Sequence, residues 1–270
     1  MRRTLLLLPL VLGACSALPE LEQPSPRVTL DGAMVKLFGD ARMQSPGSPP
    51  VENPAIDLSD LGADDREFGF GGRVSWGDTF GGVELRYFRW HTSSSETPVP
   101  GARFGTIRST ASVETESQLD QVRLDWIQPL WVGRRVVGDA TVRLGAGLGL
   151  SYEEWRFITK EVPPTPAPRA DENLRMKPDW GIPLVLGRAE VAFDQVGLRL
   201  DLGLMDGHFG DFDGTFVDAS ATVFYDLQRG VRLMAGAWYH ALPATGVEGG
   251  LRYDFDAELT GFTFGVRFDV

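Results

Sequence analysis

From about residue 28 onward, apolar and polar residues alternate in runs separated by clusters of Gly, Pro, Asp and Ser, the pattern of many successive strands. The clearest run puts Val142, Leu144, Ala146, Leu148, Leu150 and Tyr152 on one face and Thr141, Arg143, Gly145, Gly147, Gly149 and Ser151 on the other. A second sets Val196, Leu198, Leu200, Leu202 and Leu204 against Gly197, Arg199, Asp201 and Gly203. Alternation over nine or more residues outlasts the usual globular strand of about five or six. It matches the roughly 9–11 residues with which a tilted strand crosses a bilayer. Less regular alternation marks strands at Phe68–Trp76, Val122–Trp126, Val217–Tyr225, Val231–Tyr239 and Phe262–Val270. Three noisier ones fall near 28–39, 81–91 and 182–194, with Pro183 expected at a strand start. The expectation is ten strands, with eight or twelve as alternatives.

The connections alternate in length. Short ones are expected near Gly77-Asp78, Pro129 to Arg135, Asp194-Gln195 and Gln228 to Gly230, and long ones over 40–66, 93–117, 157–178, 207–214 and 243–256. Short turns at one end, long loops at the other and an even strand number are what an up-and-down transmembrane barrel requires. Trp76, Trp126, Trp155, Tyr152, Tyr225 and Tyr239 fall near predicted strand ends, where aromatic girdles meet the two interfaces. The 32 glycines suit curved or closed sheets.

The first residues read differently. Arg2 and Arg3, then the apolar stretch Leu5 to Leu12, then small residues, make an export signal. No later stretch reaches the roughly 18 apolar residues of a membrane helix, so any span must be built from strands. Leu12-Gly13-Ala14-Cys15 resembles the lipobox at which bacterial lipoproteins are cut and lipidated, with Cys15 as the acylated residue. The alternative is cleavage after Ala17, which discards Cys15. The organisation expected is a signal peptide over 1–14, a Pro-rich tether over 15–27 and a barrel over 28–270. A net charge of −11 argues against a nucleic-acid partner.

Thr263-Phe264-Gly265-Val266-Arg267-Phe268-Asp269-Val270 resembles the C-terminal signal by which outer-membrane barrels are recognised for assembly, with Val270 where Phe is commonest. By architecture, residues 28–270 resemble the small outer-membrane β-barrels of Gram-negative bacteria, the OmpA-like and OmpW-like group. That resemblance implies an all-β, antiparallel up-and-down transmembrane barrel in the outer membrane. Its partners would be membrane lipid and the barrel assembly machinery.

On the polar faces sit Arg73, Glu84, Arg86, Arg123, Asp125 and Arg143, and further along Arg199, Asp201, Asp218, Asp226, Arg232 and Arg267. In a narrow lumen, unpaired charges are costly and Arg–carboxylate pairs satisfy one another. The same residues serve a salt-bridged plug or a narrow polar pore for a small solute. The histidines are His91, His208 and His240; only the stretch Asp206, His208, Asp211, Asp213 sets one beside local carboxylates, and it reads as a solvated acidic loop. No zinc-ligand spacing, EF-hand loop or phosphate-binding Gly-Lys-Ser/Thr motif occurs, so no metal or cofactor is expected. The function expected is a noncatalytic barrel, structural or narrowly porin-like. The alternatives are a surface hydrolase of the omptin or lipid A deacylase type and a soluble, lipid-tethered, lipocalin-like binding barrel with the apolar face turned inward.

Overall fold

The alternating segments form strands throughout the structure, a computed structural model that describes residues 25–44, 55–63, 65–98, 107, 112–134, 139–162, 173–176, 179–209, 212–227, 230–248 and 251–270. In chain order they are β1 (Ser25–Gln44), β2 (Ile56–Asp57), β3 (Glu67–Gly77), β4 (Gly82–Ser93), β5 (Thr97–Pro98), β6 (Ser112–Arg134), β7 (Thr141–Val162), β8 (Asn173–Met176), β9 (Asp179–Phe193), β10 (Val196–Phe209), β11 (Phe212–Leu227), β12 (Val231–Glu248) and β13 (Leu251–Asp269). β2, β5 and β8 are short additions. The ten long strands run β1-β3-β4-β6-β7-β9-β10-β11-β12-β13, and β13 pairs back on β1 from Arg27↔Asp269 to Gln44↔Arg252. Every ladder is antiparallel between strands adjacent in the ring, so the barrel is up-and-down and has no open edge.

Side chains alternate in and out with period two along each strand, and that parity never breaks across the bilayer-length stretch of β7. Leu144, Leu148, Leu150 and Tyr152 are exposed on the outside, while Ser151 and Glu153 are buried inside. Beyond Tyr152 the chemistry of the two faces exchanges. Trp155 and Phe157 now point inward, and Glu154, Arg156 and Lys160 share the outer face. β13 does the same. Phe262, Phe264 and Phe268 face out with Arg267 inside, whereas beyond Thr260 the inside takes Tyr253, Phe255, Ala257 and Leu259 and the outside Asp254, Asp256 and Glu258. In β1 the exchange lies between Met34 and Lys36, with Val35, Leu37, Ala41 and Met43 buried beyond it. The barrel therefore has two storeys. The one nearer the chain termini has an apolar outer belt and a polar lumen; the far one has a polar outside and an ordinary hydrophobic core.

That core explains where the sequence expectations differ from the structure. The far halves of the strands were expected as loops over 40–66, 93–117, 157–178, 207–214 and 243–256. Instead β1 runs to Gln44, β6 starts at Ser112, β7 continues to Val162, and β10–β11 and β12–β13 are long hairpins. Trp155, expected in an aromatic girdle, is a fully buried core residue. It lies an odd number of positions from Tyr152 and so on the opposite face. Trp76, Trp126, Tyr152 and Tyr225 do face outward. Pro183 sits inside β9, paired with Leu150 of β7, at a level where β10 no longer pairs with β9. Pro129 likewise lies within β6, whose register on β7 slips between Pro129 and Trp131. β1 begins at Ser25, so the last residues of the expected tether belong to the barrel. Cys15 and the expected signal lie outside the described residues.

The 3-10 turn at Leu58–Leu61, started by Asp57, whose Oδ1 accepts from Ser59 N at 2.8 Å, tucks Leu58 and Leu61 into the far core. At the opposite mouth, the turn between β3 and β4 also folds inward, burying Phe80. Gly77 and Gly82 flank it at φ +152° and +118°. A Cβ on either would lie 2.2–2.3 Å from a carbonyl oxygen of the other arm, so only glycine permits this bend.

Candidate functional site

The lumen holds the concentration of chemistry, and each residue reaches it by strand parity. At the mouth nearest the termini, the buried Phe80 turn is latched by arginines from three strands. Arg188 Nη1 donates to Phe80 O at 2.8 Å, Arg199 Nη2 to Thr79 O at 2.7 Å, and Arg143 Nη1 to Thr79 Oγ1 at 2.7 Å. A Cβ on Gly145 would sit 2.6 Å from the Phe80 ring, so the glycine face of β7 provides the room. Around the turn the charges are paired. Arg73 donates twice to Asp31 at 2.9 Å, Arg199 to Glu190 at 2.6 and 2.9 Å, and Arg188 to Asp201. Arg232 makes two bonds to Asp226, and Arg267 lies 3.2 Å from Asp269.

Above the mouth, one chain of alternating charges crosses the barrel. Arg86 bonds Glu84 and lies 3.4 Å from Asp125. Arg123 donates to Asp125 at 2.7 Å and to Asp218 at 2.9 Å. His240 then bridges Asp218, 3.2 Å from Nδ1, and Glu153, 3.1 Å from Nε2. Glu153 also accepts from Gln121 at 2.7 Å and Ser151 at 2.9 Å, and Trp238 Nε1 donates to Asp218 at 3.1 Å. β6 and β11 stand four steps apart on the ring, as do β7 and β12, so the Arg123–Asp218 and His240–Glu153 bonds are rungs across the lumen.

The third tier is apolar. Trp155, Phe157, Phe216, Phe255, Trp90 and Leu37 are fully buried. Trp155 and Phe157 each meet Phe255 with ring centres 5.6 Å apart, and Phe216 sits edge-on to His240 at 5.0 Å. Beside the charged chain a cavity of about 100 Å³ remains, walled in part by Asp31, Arg86, Arg123, Phe88, Asp218 and Trp238.

All twelve charges singled out in the sequence lie on this inner wall. The sequence reading missed Asp31, Glu153, Arg188, Glu190 and His240. Glu153 shares the parity of Arg143 and Ser151, so carrying that face two residues further finds it; Arg188 and Glu190 sit in the irregular segment that hid their face. His91 instead faces outward, 3.3 Å from Glu116. Asp206 accepts from Thr215 at 2.7 Å, while the side chains of His208, Asp211 and Asp213 lie outside the described residues. Satisfying two carboxylates requires His240 to carry a proton on each ring nitrogen, which leaves no lone pair to act as a base. No group of residues able to hold a metal ion occurs among the described residues.

No family model matches the sequence, and no curated protein matches it. Among solved structures, the chain is similar to the outer membrane protease OmpT from Escherichia coli, with a TM-score of 0.50 and 8% identity over 94% of this chain and 99% of that one. Weaker similarity extends to the translocator domain of the autotransporter NalP from Neisseria meningitidis, with a TM-score of 0.35 and 11% identity over 98% and 93% of the two chains. Ail of Yersinia pestis gives a TM-score of 0.29 and 8% identity over 92% and 100%. The first likeness shows the fold: an antiparallel ring of the outer-membrane barrel kind.

Proposed function

We propose that the protein is a closed, noncatalytic outer-membrane β-barrel that spans the bilayer with its lower storey and holds a rigid, water-facing storey above it. The observation that carries this reading is the exchange of polar and apolar faces at a common height. An apolar exterior around a polar interior is stable only where the surroundings are hydrocarbon, and the reverse only where they are water. The lipocalin-like alternative needs the Leu198, Leu200 and Leu202 face inside, and those side chains are exposed outside. Lipid is then the partner of the lower belt, and the assembly machinery that of β13.

Leu200, 47% exposed at mid-strand, tests the belt. Leu200→Arg should lower stability in liposomes by about 2–4 kcal/mol, with a smaller loss for the same change nearer a strand end. Denaturant titration of the folded, lipid-inserted protein measures it; an unchanged midpoint would mean that this face does not meet hydrocarbon.

Closure rests on the three tiers stacked in one lumen. In planar bilayers the protein should give no stepwise conductance, and liposomes carrying it should not swell in small sugars. Phe80→Ala should loosen the mouth and still leave the barrel silent, because the charged rungs and the aromatic tier lie above it. Discrete openings of the unaltered protein would replace this reading with the narrow pore. A protease reading draws on the fold shared with OmpT and requires a histidine open to substrate; His240 is fully buried beneath Trp155 and Phe216, which leaves His91, exposed beside Glu116, as the described histidine that reading would have to use.

A further inference from the structure

We propose that the mouth nearest the chain termini contains a binding site for one chloride-sized anion, centred on Arg27. The small cavity there is lined by five guanidinium groups, those of Arg27, Arg73, Arg188, Arg199 and Arg267, against two carboxylates, Asp78 and Glu84. Both carboxylates are committed: Asp78 Oδ1 accepts from the N–H groups of Phe80 and Gly81, and Glu84 is bound by Arg86. Four of the five arginines have a carboxylate outside the cavity, namely Asp31, Asp201, Glu190 and Asp269.

Arg27 does not. It is only 3% exposed, and its one hydrogen bond among the described residues is from Nε to Ser75 Oγ at 3.4 Å. No carboxylate oxygen lies within ion-pairing distance of it among the described residues, and Nη1 is buried without a partner. Nearby, Arg267 and Arg232 stand directly opposite one another on β13 and β12, a like-charge pair on the inner wall; Arg232 stacks on Phe224 at 3.8 Å, and its Nη1 has no hydrogen-bond partner among the described residues. A guanidinium taken out of water without a counter-charge is among the costliest groups a protein can bury. Its carboxylate neighbours are engaged elsewhere: Asp269, its register partner on β13, pairs with Arg267, Asp78 accepts from the turn backbone, and Glu84 is bound by Arg86. An anion in the cavity supplies the missing charge and accepts from Nη1, with the hydroxyls of Thr29 and Ser75 on the same wall.

Size selects the class. The cavity is about 20 Å³, room for one water-sized or halide-sized occupant. The cavity lies at the end that carries the chain termini and the short β3–β4 turn, and short turns face the periplasm in outer-membrane barrels, so chloride reaches it there without crossing the barrel.

The test uses the full chain, folded in detergent, at constant ionic strength. Replacing gluconate with chloride or bromide should raise the unfolding midpoint saturably, and sulfate should not reproduce the rise. Arg27→Gln should abolish the halide dependence. Crystals grown in bromide should show an anomalous peak within hydrogen-bonding distance of Arg27 Nη1, which decides the matter even if Arg27→Gln fails to fold. Equal midpoints in chloride and gluconate, a halide dependence that survives Arg27→Gln, or a mouth without bromide density would each overturn the proposal.

Discussion

Arg123→Leu is expected to destabilise the barrel by about 3–5 kcal/mol, the cost of removing one partner from a buried ion pair. Among the described residues Arg123 alone ion-pairs with both Asp125 and Asp218, in the rung that joins β6 to β11, and its side chain is 3% exposed. Without it, two buried carboxylates face one another. Asp125 keeps Arg86 at 3.4 Å, and Asp218 keeps His240 and Trp238. Lysine should not restore the loss, because an ammonium lacks the planar fork that serves two carboxylates at once. Adding Asp218→Asn to Arg123→Leu should recover part of the stability, since it removes one of the stranded charges. The coupling in that double-mutant cycle should be about 1–3 kcal/mol. Urea titration in a single detergent measures all four species. A loss below about 1 kcal/mol, or strictly additive changes, would mean that the rung is hydrated and carries little.

Trp155→Ala is expected to cost a similar amount, about 3–5 kcal/mol, from lost transfer energy and the cavity left behind. Trp155 is 0% exposed, lies under Phe255, and roofs His240 at a ring separation of 6.5 Å. Its neighbour Glu154 faces outward, with its ion pair to Arg156 at 3.4 Å partly in water, so Glu154→Ala should change stability by no more than about 1 kcal/mol. The contrast between adjacent residues tests the two-storey description. In the lower storey the outward residue is the apolar one; here it is the inward residue. The measurement is again equilibrium unfolding, in detergent and in liposomes. Because Trp155 lies above the belt, its loss should be of similar size in both, whereas that of Leu200→Arg should depend on the bilayer. Equal tolerance of Trp155→Ala and Glu154→Ala would remove the far core from the description.

The sequence by itself determined the strands of the lower storey. A side chain in a strand points to one face or the other by simple alternation, and a bilayer outside with a charged lumen inside makes both faces chemically uniform over a whole membrane crossing. Leu198 to Leu204 and Val142 to Tyr152 therefore read directly as wall, and Arg199, Asp201 and Arg143 as lumen. The aromatic ends Trp76, Trp126 and Tyr225 follow from the same parity.

Only the tertiary structure decided what happens beyond Tyr152, Thr260 and Met34. The backbone alternation continues there, but the solvent outside changes from hydrocarbon to water, so the hydrophobic effect acts on the opposite face. A reader following one face sees the pattern dissolve and infers a loop. Whether a buried residue such as Trp155 lines a core or a girdle depends on the height at which that exchange occurs, and height is a property of the assembled ring. The charge partners were hidden for a related reason. Arg123 meets Asp218, and His240 meets Glu153, across a lumen whose width and stagger are set by closing ten strands at once, so no spacing along the chain encodes which carboxylate faces which cation.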